Sequence, residues 1–137
     1  MHPIPAGTHA MTNLLLVGFG GFIGSVARYT LGGWLLHLTA QQRFPYGTFA
    51  VNVLGCLVAG VLAGLVERHG LFAAETRLFL FTGLLGGFTT FSAFGLETAF
   101  LLRRGEAWTA AGYAGASVLL GLAACWVGIR LVSAWPR

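Results

Sequence analysis

Three uncharged hydrogen-bond donors lie inside long apolar stretches of this sequence. Asn52 interrupts an apolar run with a side-chain amide, which offers two N–H donors. Tyr113 and Ser117 are four residues apart, so on a helix their hydroxyl groups share one face. Such donors can replace the water around a small anion, and because they carry no charge they also release it. Polar groups that join helices have the same composition, so both interpretations stay open.

Phenylalanines recur at a spacing of three at Phe88, Phe91 and Phe94. On a helix these rings share a face. The edge of a phenyl ring is electropositive, so a stripe of such edges can solvate an anion without a formal charge. Helix packing is the commoner reason for a stripe of this kind, and the pattern does not select one anion over another.

The run from Gly86 to Thr90 is poor helix-forming sequence, with two glycines followed by Phe88 and two β-branched threonines. It predicts a break in an apolar helix, and carbonyl groups freed by such a break need partners. A hard cation is one partner, since it takes oxygen ligands. Gly83 and Gly87 are also spaced for close helix packing, and this alternative stays open.

Two charged residues, Arg28 and Glu97, lie within apolar stretches. An ionisable group inside a membrane costs free energy, so its presence suggests a function. We expect the two to pair, and an arginine beside a water-filled cavity would also raise the local concentration of anions. A structural salt bridge, or an arginine that reaches the headgroups, is the alternative.

The elements that must position these residues are membrane helices. Of the 137 residues, 56% are hydrophobic and only 9% are charged, against about 25% in a soluble domain. About 20 apolar residues cross a bilayer as a helix, and four stretches qualify, at about 13–36, 47–66, 77–102 and 107–132. The polar connections between them are short, so sequential helices should be antiparallel neighbours.

The chain divides into an N-terminal tail, 1–12, and a four-helix transmembrane domain, 13–137, and the native start is Met1 or Met11. All eight basic residues are arginines, and they are scattered, which excludes a clustered nucleic-acid patch. Four of them flank the spans on one side of the membrane and three on the other. This near-balance gives little orientation preference, so both a dual-topology protein and a singly oriented one remain possible.

Motifs from all four stretches combine in a specific way. They are Gly20-Gly21-Phe22-Ile23-Gly24 with Arg28-Tyr29, Pro45-Tyr46-Gly47-Thr48 leading to Asn52, Gly86-Gly87-Phe88-Thr89-Thr90-Phe91-Ser92-Ala93-Phe94, and Tyr113-Ala114-Gly115-Ala116-Ser117. In this combination the chain resembles the Fluc (CrcB) fluoride channel family over nearly its whole length from Leu14. The resemblance implies an all-α membrane protein with four transmembrane helices per subunit and a third helix broken mid-membrane. It also implies an antiparallel, dual-topology homodimer in the cytoplasmic (inner) membrane.

The same resemblance implies passive export of fluoride, which accumulates in cells as the anion of a weak acid, through pores at the dimer interface. Carried over residue by residue, it assigns the pore to Asn52, Phe91, Phe94, Tyr113 and Ser117. It also implies a structural sodium ion at the dimer centre, held by the backbone carbonyls of Gly86 and Thr89, and vestibule charges at Arg28 and Glu97. Ala93 departs from the family pattern, in which a hydroxyl residue is usual. Gly95 follows Phe94, and we expect it to loosen that turn.

Two other functional classes remain as alternatives. A small multidrug-type four-helix transporter has the same size, but it needs an acid in its first helix, where this chain has Arg28. A non-conducting membrane scaffold would explain the small residues and the phenylalanines as packing, but not the amide and hydroxyls at Asn52, Tyr113 and Ser117. Catalysis is not expected, because no base lies beside a serine within the apolar stretches.

Overall fold

A computed structural model describes residues 6–39 and 42–134, and the backbone of these residues is helical with no β-strand. Four helical spans are long and apolar enough to cross a membrane, which confirms the predicted all-α class and the number of spans. The elements are α1 (Ala6–Leu38), α2 (Tyr46–His69), α3 (Ala74–Arg77), a π-helical segment (Leu78–Leu85), α4 (Gly86–Phe88), α5 (Phe91–Arg103) and α6 (Ala107–Ala134).

The first helix is longer than its apolar run predicts. We expected a span from about residue 13, whereas α1 begins at Ala6. No proline occurs between Ala6 and Leu38, so nothing in the sequence stops the helix from extending beyond the apolar stretch. Part of the predicted tail, 1–5, lies outside the described residues, and 6–12 belongs to α1.

The third span consists of helical pieces joined by two extended residues. Thr89 has φ −80° and ψ 155°, and Thr90 has φ −148° and ψ 115°. β-Branched threonines favour such angles. The Thr90 hydroxyl then accepts a hydrogen bond from the Ala93 N–H at 3.2 Å, which caps the N-terminus of α5. The helical hydrogen bonding of the span is therefore interrupted at Thr89 and Thr90.

Glycines bring α1 against the first half of the third span. A Cβ atom on Gly20 would lie 2.7 Å from the Phe79 carbonyl oxygen, and one on Gly24 would overlap the Leu84 carbonyl. A Cβ on Gly83 would lie 3.0 Å from the Gly20 Cα. The close packing that the spacing of Gly83 and Gly87 suggested is therefore present, because only glycine permits this approach.

The second helix packs against the fourth span in a parallel arrangement. A Cβ on Gly60 would overlap the Cys125 carbonyl oxygen, and one on Gly64 would lie 3.3 Å from the Ile129 carbonyl oxygen. The residue numbers rise together on both helices, so each turn of α2 has a fixed partner turn on α6. Asn52 consequently lies at the level of the first half of α6.

Few large side chains are enclosed by the described residues. Val51 and Tyr113 are fully buried, and Tyr113 forms a small cluster with Leu101 and Ala110. Large apolar side chains such as Leu119 and Trp108 are exposed on the outside. An apolar exterior around a small, partly polar interior suits a protein that is solvated by lipid.

The glycine contacts predict that an alanine destabilises the protein only at positions where two helices touch. Gly128→Ala should destabilise the protein by about 1–3 kcal/mol, since its Cβ would lie 2.5 Å from the Leu57 carbonyl oxygen and force the helices apart. Gly112→Ala on the same helix meets no atom within 4 Å and is the matched control. Thermal unfolding in detergent measures both, and equal midpoints for the two variants would contradict this account.

Candidate functional site

Asn52 is bound to the extended pair of the third span. Its Nδ2 donates to the Thr90 carbonyl oxygen at 3.0 Å, and its Oδ1 accepts from the Thr90 N–H at 2.8 Å. One side chain therefore satisfies both backbone groups of a residue that has left the helix. An amide nitrogen carries two hydrogens, so one N–H of Asn52 is left for another acceptor.

A cleft of about 260 Å³ lies beside this pair of hydrogen bonds. Its lining consists of Asn52, Cys56, Thr89, Thr90, Phe91, Phe94, Ser117 and Val118. The structure thus brings together four of the five predicted pore residues on one surface. The Ser117 Oγ is buried and has no hydrogen-bond partner among the described residues, so its hydroxyl remains free to donate.

The two predicted phenylalanines form one side of the cleft. Their ring centroids are 5.4 Å apart with a tilt of 37° between the planes. Phe91 is 83% exposed, whereas Phe94 is half-buried and packs against Tyr113 with centroids 5.2 Å apart. An aromatic side chain left this open beside a polar cleft has a surface available to a further partner.

Tyr113 is placed differently from the other predicted donors. It is fully buried, and its hydroxyl donates to the Glu97 Oε2 at 2.7 Å. The Thr48 hydroxyl donates to the other carboxylate oxygen, Oε1, also at 2.7 Å. Tyr113 is not part of the cleft lining, because its hydroxyl is directed to Glu97. Its role in a donor track stays a prediction.

A larger cavity of about 560 Å³ holds the two predicted charges. Arg28, Arg43 and Glu97 all contribute to its lining. We expected Arg28 to pair with Glu97, but both Glu97 oxygens are engaged by hydroxyl groups instead. Two hydroxyl donors therefore stabilise the carboxylate. The guanidinium groups of Arg28 and Arg43 line the same cavity, and their positive charge favours anions there.

The cavity and the cleft adjoin at Thr90, which lines both. Sequence reasoning missed Thr90 as the partner of Asn52 and missed Thr48 as a donor to Glu97. A signal for Thr48 exists, since it lies four residues before Asn52 and so on the same face of α2. Nothing in the sequence pairs Asn52 with Thr90, because that contact depends on how two spans meet.

The carbonyl groups of Gly86 and Thr89 lose their ordinary helical donors. In a continuous helix the Thr90 N–H would bond to the Gly86 carbonyl, and the Ala93 N–H to that of Thr89. Here those two N–H groups donate to Asn52 and to the Thr90 hydroxyl. Gly86 is also exposed, and a Cβ there would meet only the Phe81 carbonyl oxygen, at 3.8 Å. These oxygens are chemically suited to a hard cation.

The hydrogen bonds to Glu97 predict a stability cost for their removal. Tyr113→Phe and Thr48→Val should each destabilise the protein by about 1.5–3 kcal/mol, because each leaves a partly buried carboxylate short of a donor. Tyr29→Phe is the control, since Tyr29 is 81% exposed. Thermal unfolding in detergent measures the three, and a Tyr113→Phe midpoint equal to that of the control would disprove the interaction.

Comparison with known proteins gives matches over most of the chain. Residues 15–129 match the model of a family described as CrcB-like protein, Camphor Resistance (CrcB). A protein of Methylobacillus flagellatus named fluoride-specific ion channel FluC is 52% identical over 122 residues, which cover 89% of this chain and 95% of the relative. A protein of the same name from Rhizobium etli is 52% identical, over 90% of this chain and 98% of its own length. One from Oceanobacillus iheyensis is 41% identical, over 88% of this chain and 92% of its own length.

Proposed function

This chain belongs to the CrcB-like protein family, and on that premise we propose that it is a fluoride-selective channel for passive export. The family match confirms the resemblance seen in the sequence motifs, and the four apolar spans make the chain a multi-pass membrane protein. One observation carries the proposal: the cleft combines the uncharged groups of Asn52, Ser117, Phe91 and Phe94. These are groups that solvate a small anion without trapping it.

The proposed path runs from the cavity into the cleft. Arg28 and Arg43 raise the anion concentration in the cavity. Fluoride then exchanges its hydration water for the remaining N–H of Asn52 and the Ser117 hydroxyl, and for the electropositive edges of the phenyl rings. Neutral donors bind fluoride weakly enough for release on the far side, whereas a lysine or arginine in the cleft would hold it.

We further propose that a second, inverted copy closes the path. The cleft is open on the side of Phe91, which is 83% exposed, and Ser92 and Gly95 on the same helix are exposed as well. The near-balanced arginine distribution permits both orientations in the membrane. An antiparallel pair with two-fold symmetry would give each subunit's cleft a wall from its partner, and so two equivalent pores.

A sodium ion at the centre of this dimer fits the residues present. The carbonyls of Gly86 and Thr89 have lost their helical donors, and Gly86 leaves room for close approach of the backbone of a second copy. A bound cation would supply positive charge to these oxygens in place of the two helical donors that they have lost. The chain's own contribution is to present them by diverting two N–H groups to Asn52 and Thr90.

Phenylalanine edges predict a large loss of flux on replacement. Phe91→Ile and Phe94→Ile should each slow fluoride efflux roughly tenfold or more, because an aliphatic side chain has no electropositive edge. Efflux from proteoliposomes is followed with a fluoride-selective electrode, with chloride as the competing ion and Phe100→Ile on the same helix as the control. Unchanged flux in both variants would refute the phenyl role. Wild-type protein that passes no fluoride would support a scaffold, and flux that requires a proton gradient would support a transporter.

Asn52→Asp tests whether Asn52 lies on the anion path. The aspartate keeps an acceptor for the Thr90 N–H but loses the donor to the Thr90 carbonyl and places a negative charge beside the anion path. Fluoride flux should fall roughly tenfold or more because of that charge, while the protein still folds. The same electrode assay measures flux, and size-exclusion chromatography checks folding. Wild-type flux in this variant would remove Asn52 from the path.

The cation proposal predicts a sodium-dependent stability. Unfolding midpoints in detergent should be higher in sodium chloride than in the chloride of a bulky organic cation such as N-methylglucamine, because a bound ion stabilises only the folded dimer. The double variant Phe91→Ile, Phe94→Ile, which leaves Gly86 and Thr89 intact, serves as the control and should keep the sodium effect. Identical midpoints in both salts at equal ionic strength would rule out the site.

A further inference from the structure

The two cysteines of the chain lie on neighbouring turns of one helix–helix contact. The Cys56 Sγ would lie 3.4 Å from a Cβ placed on Gly121, and Gly60, one turn further along α2, contacts the Cys125 carbonyl. Cys125 follows Gly121 by four residues on α6, so the two lie on the same face of that helix. The Cys56 side chain therefore packs on the ridge of α6 that carries Cys125.

Both thiols are free and half-buried, and Cys56 contributes to the lining of the cleft. It lies one helical turn beyond Asn52, on the same face of α2. On α6, one turn before Gly121, the buried Ser117 Oγ has no hydrogen-bond partner among the described residues. The cleft wall thus offers the Cys56 sulfur and an unused oxygen next to the path proposed for fluoride, and Cys125 lies about two turns beyond Ser117 on α6.

We propose that Cys56 and Cys125 form a binding site for a thiophilic cation such as Ag⁺, and that its occupation blocks conduction. Thiolates select soft metal ions, and such ions accept as few as two ligands. On binding, each thiol transfers its proton to the buffer as a sulfur–silver bond forms, so the reaction needs no oxidant or reductant. Fluoride does not compete with silver for the cysteines, because a thiol is only a weak hydrogen-bond donor to an anion.

Block follows from charge and space. One Ag⁺ held by two thiolates leaves a net negative charge, so the occupied site narrows a cleft of about 260 Å³ and places that charge one turn from Asn52. Such a charge repels the fluoride that neutral donors would otherwise bind and release. This part of the inference rests on the proposed channel function, whereas the binding of silver by the two thiols does not.

The experiment measures flux and binding separately. Fluoride efflux is followed from proteoliposomes in chloride-free nitrate buffer with increasing silver nitrate, and each preparation is normalised to its own untreated flux. Wild-type efflux should fall roughly tenfold or more and recover with excess dithiothreitol. Cys56→Ser should resist silver, and Cys125→Ser should need roughly tenfold more silver for the same block. Met11→Leu, which removes a thioether outside the site, should behave as wild type.

Silver bound per chain, measured by elemental analysis after gel filtration in detergent, gives the second readout. Wild type should retain silver, and Cys56→Ser, Cys125→Ser together should retain none. Equal inhibition of wild type and Cys56→Ser, or a wild type that conducts but ignores silver, would overturn the proposal. Wild type that binds silver through the thiols yet passes no fluoride without it would instead refute the channel function and leave the metal site standing.

Discussion

A helix that stops within an apolar span leaves backbone groups without partners, at a cost of several kcal/mol for each one in lipid. In this protein the Asn52 amide removes that cost at Thr90 by accepting from its N–H and donating to its carbonyl. The same two hydrogen bonds fasten α2 to the third span. They thereby hold the residue at which α5 begins, and Phe91 and Phe94 lie in the first turn of that helix. Without the Oδ1 acceptor and the Nδ2 donor of Asn52, the N–H and carbonyl groups of Thr90 would lack these partners.

Close glycine contacts allow that amide to reach its partner. Gly55, on the same helix as Asn52, has so little space that a Cβ there would overlap the Thr89 side chain. On the other side, Gly24 and Gly87 hold α1 against the first half of the third span. Small residues at helix contacts provide packing where lipid supplies no hydrophobic drive. The polar chemistry of the site therefore depends on an apolar frame that only glycine permits.

Much of this arrangement follows from sequence. Membrane helices are recognised by the length of their apolar stretches, and polar residues within such stretches are rare. The four spans were predictable on those grounds, whereas the grouping of Asn52 with Ser117, Phe91 and Phe94 was expected only from the family resemblance. The partner of Tyr113 was not. Its hydroxyl could donate to any acceptor within reach, and only the approach of α5 to α6 makes that acceptor Glu97. The π-helical segment Leu78–Leu85 likewise has no local sequence signal, since leucine, phenylalanine, Thr82 and Gly83 all occur in ordinary membrane α-helices as well.

The treatment of Glu97 shows how an anion path tolerates a carboxylate. A free negative charge on the cavity wall would repel the ion that the family transports. Hydrogen bonds of 2.7 Å from Thr48 and from Tyr113 engage both of its oxygens, so two hydroxyl dipoles partly offset its charge on the cavity wall. A direct pair with Arg28 would have cancelled the guanidinium charge as well. Because Glu97 binds neutral hydroxyls, the charges of Arg28 and Arg43 stay on the cavity wall. In the proposed channel these charges attract anions, and the uncharged cleft beyond Thr90 then has only to let them pass.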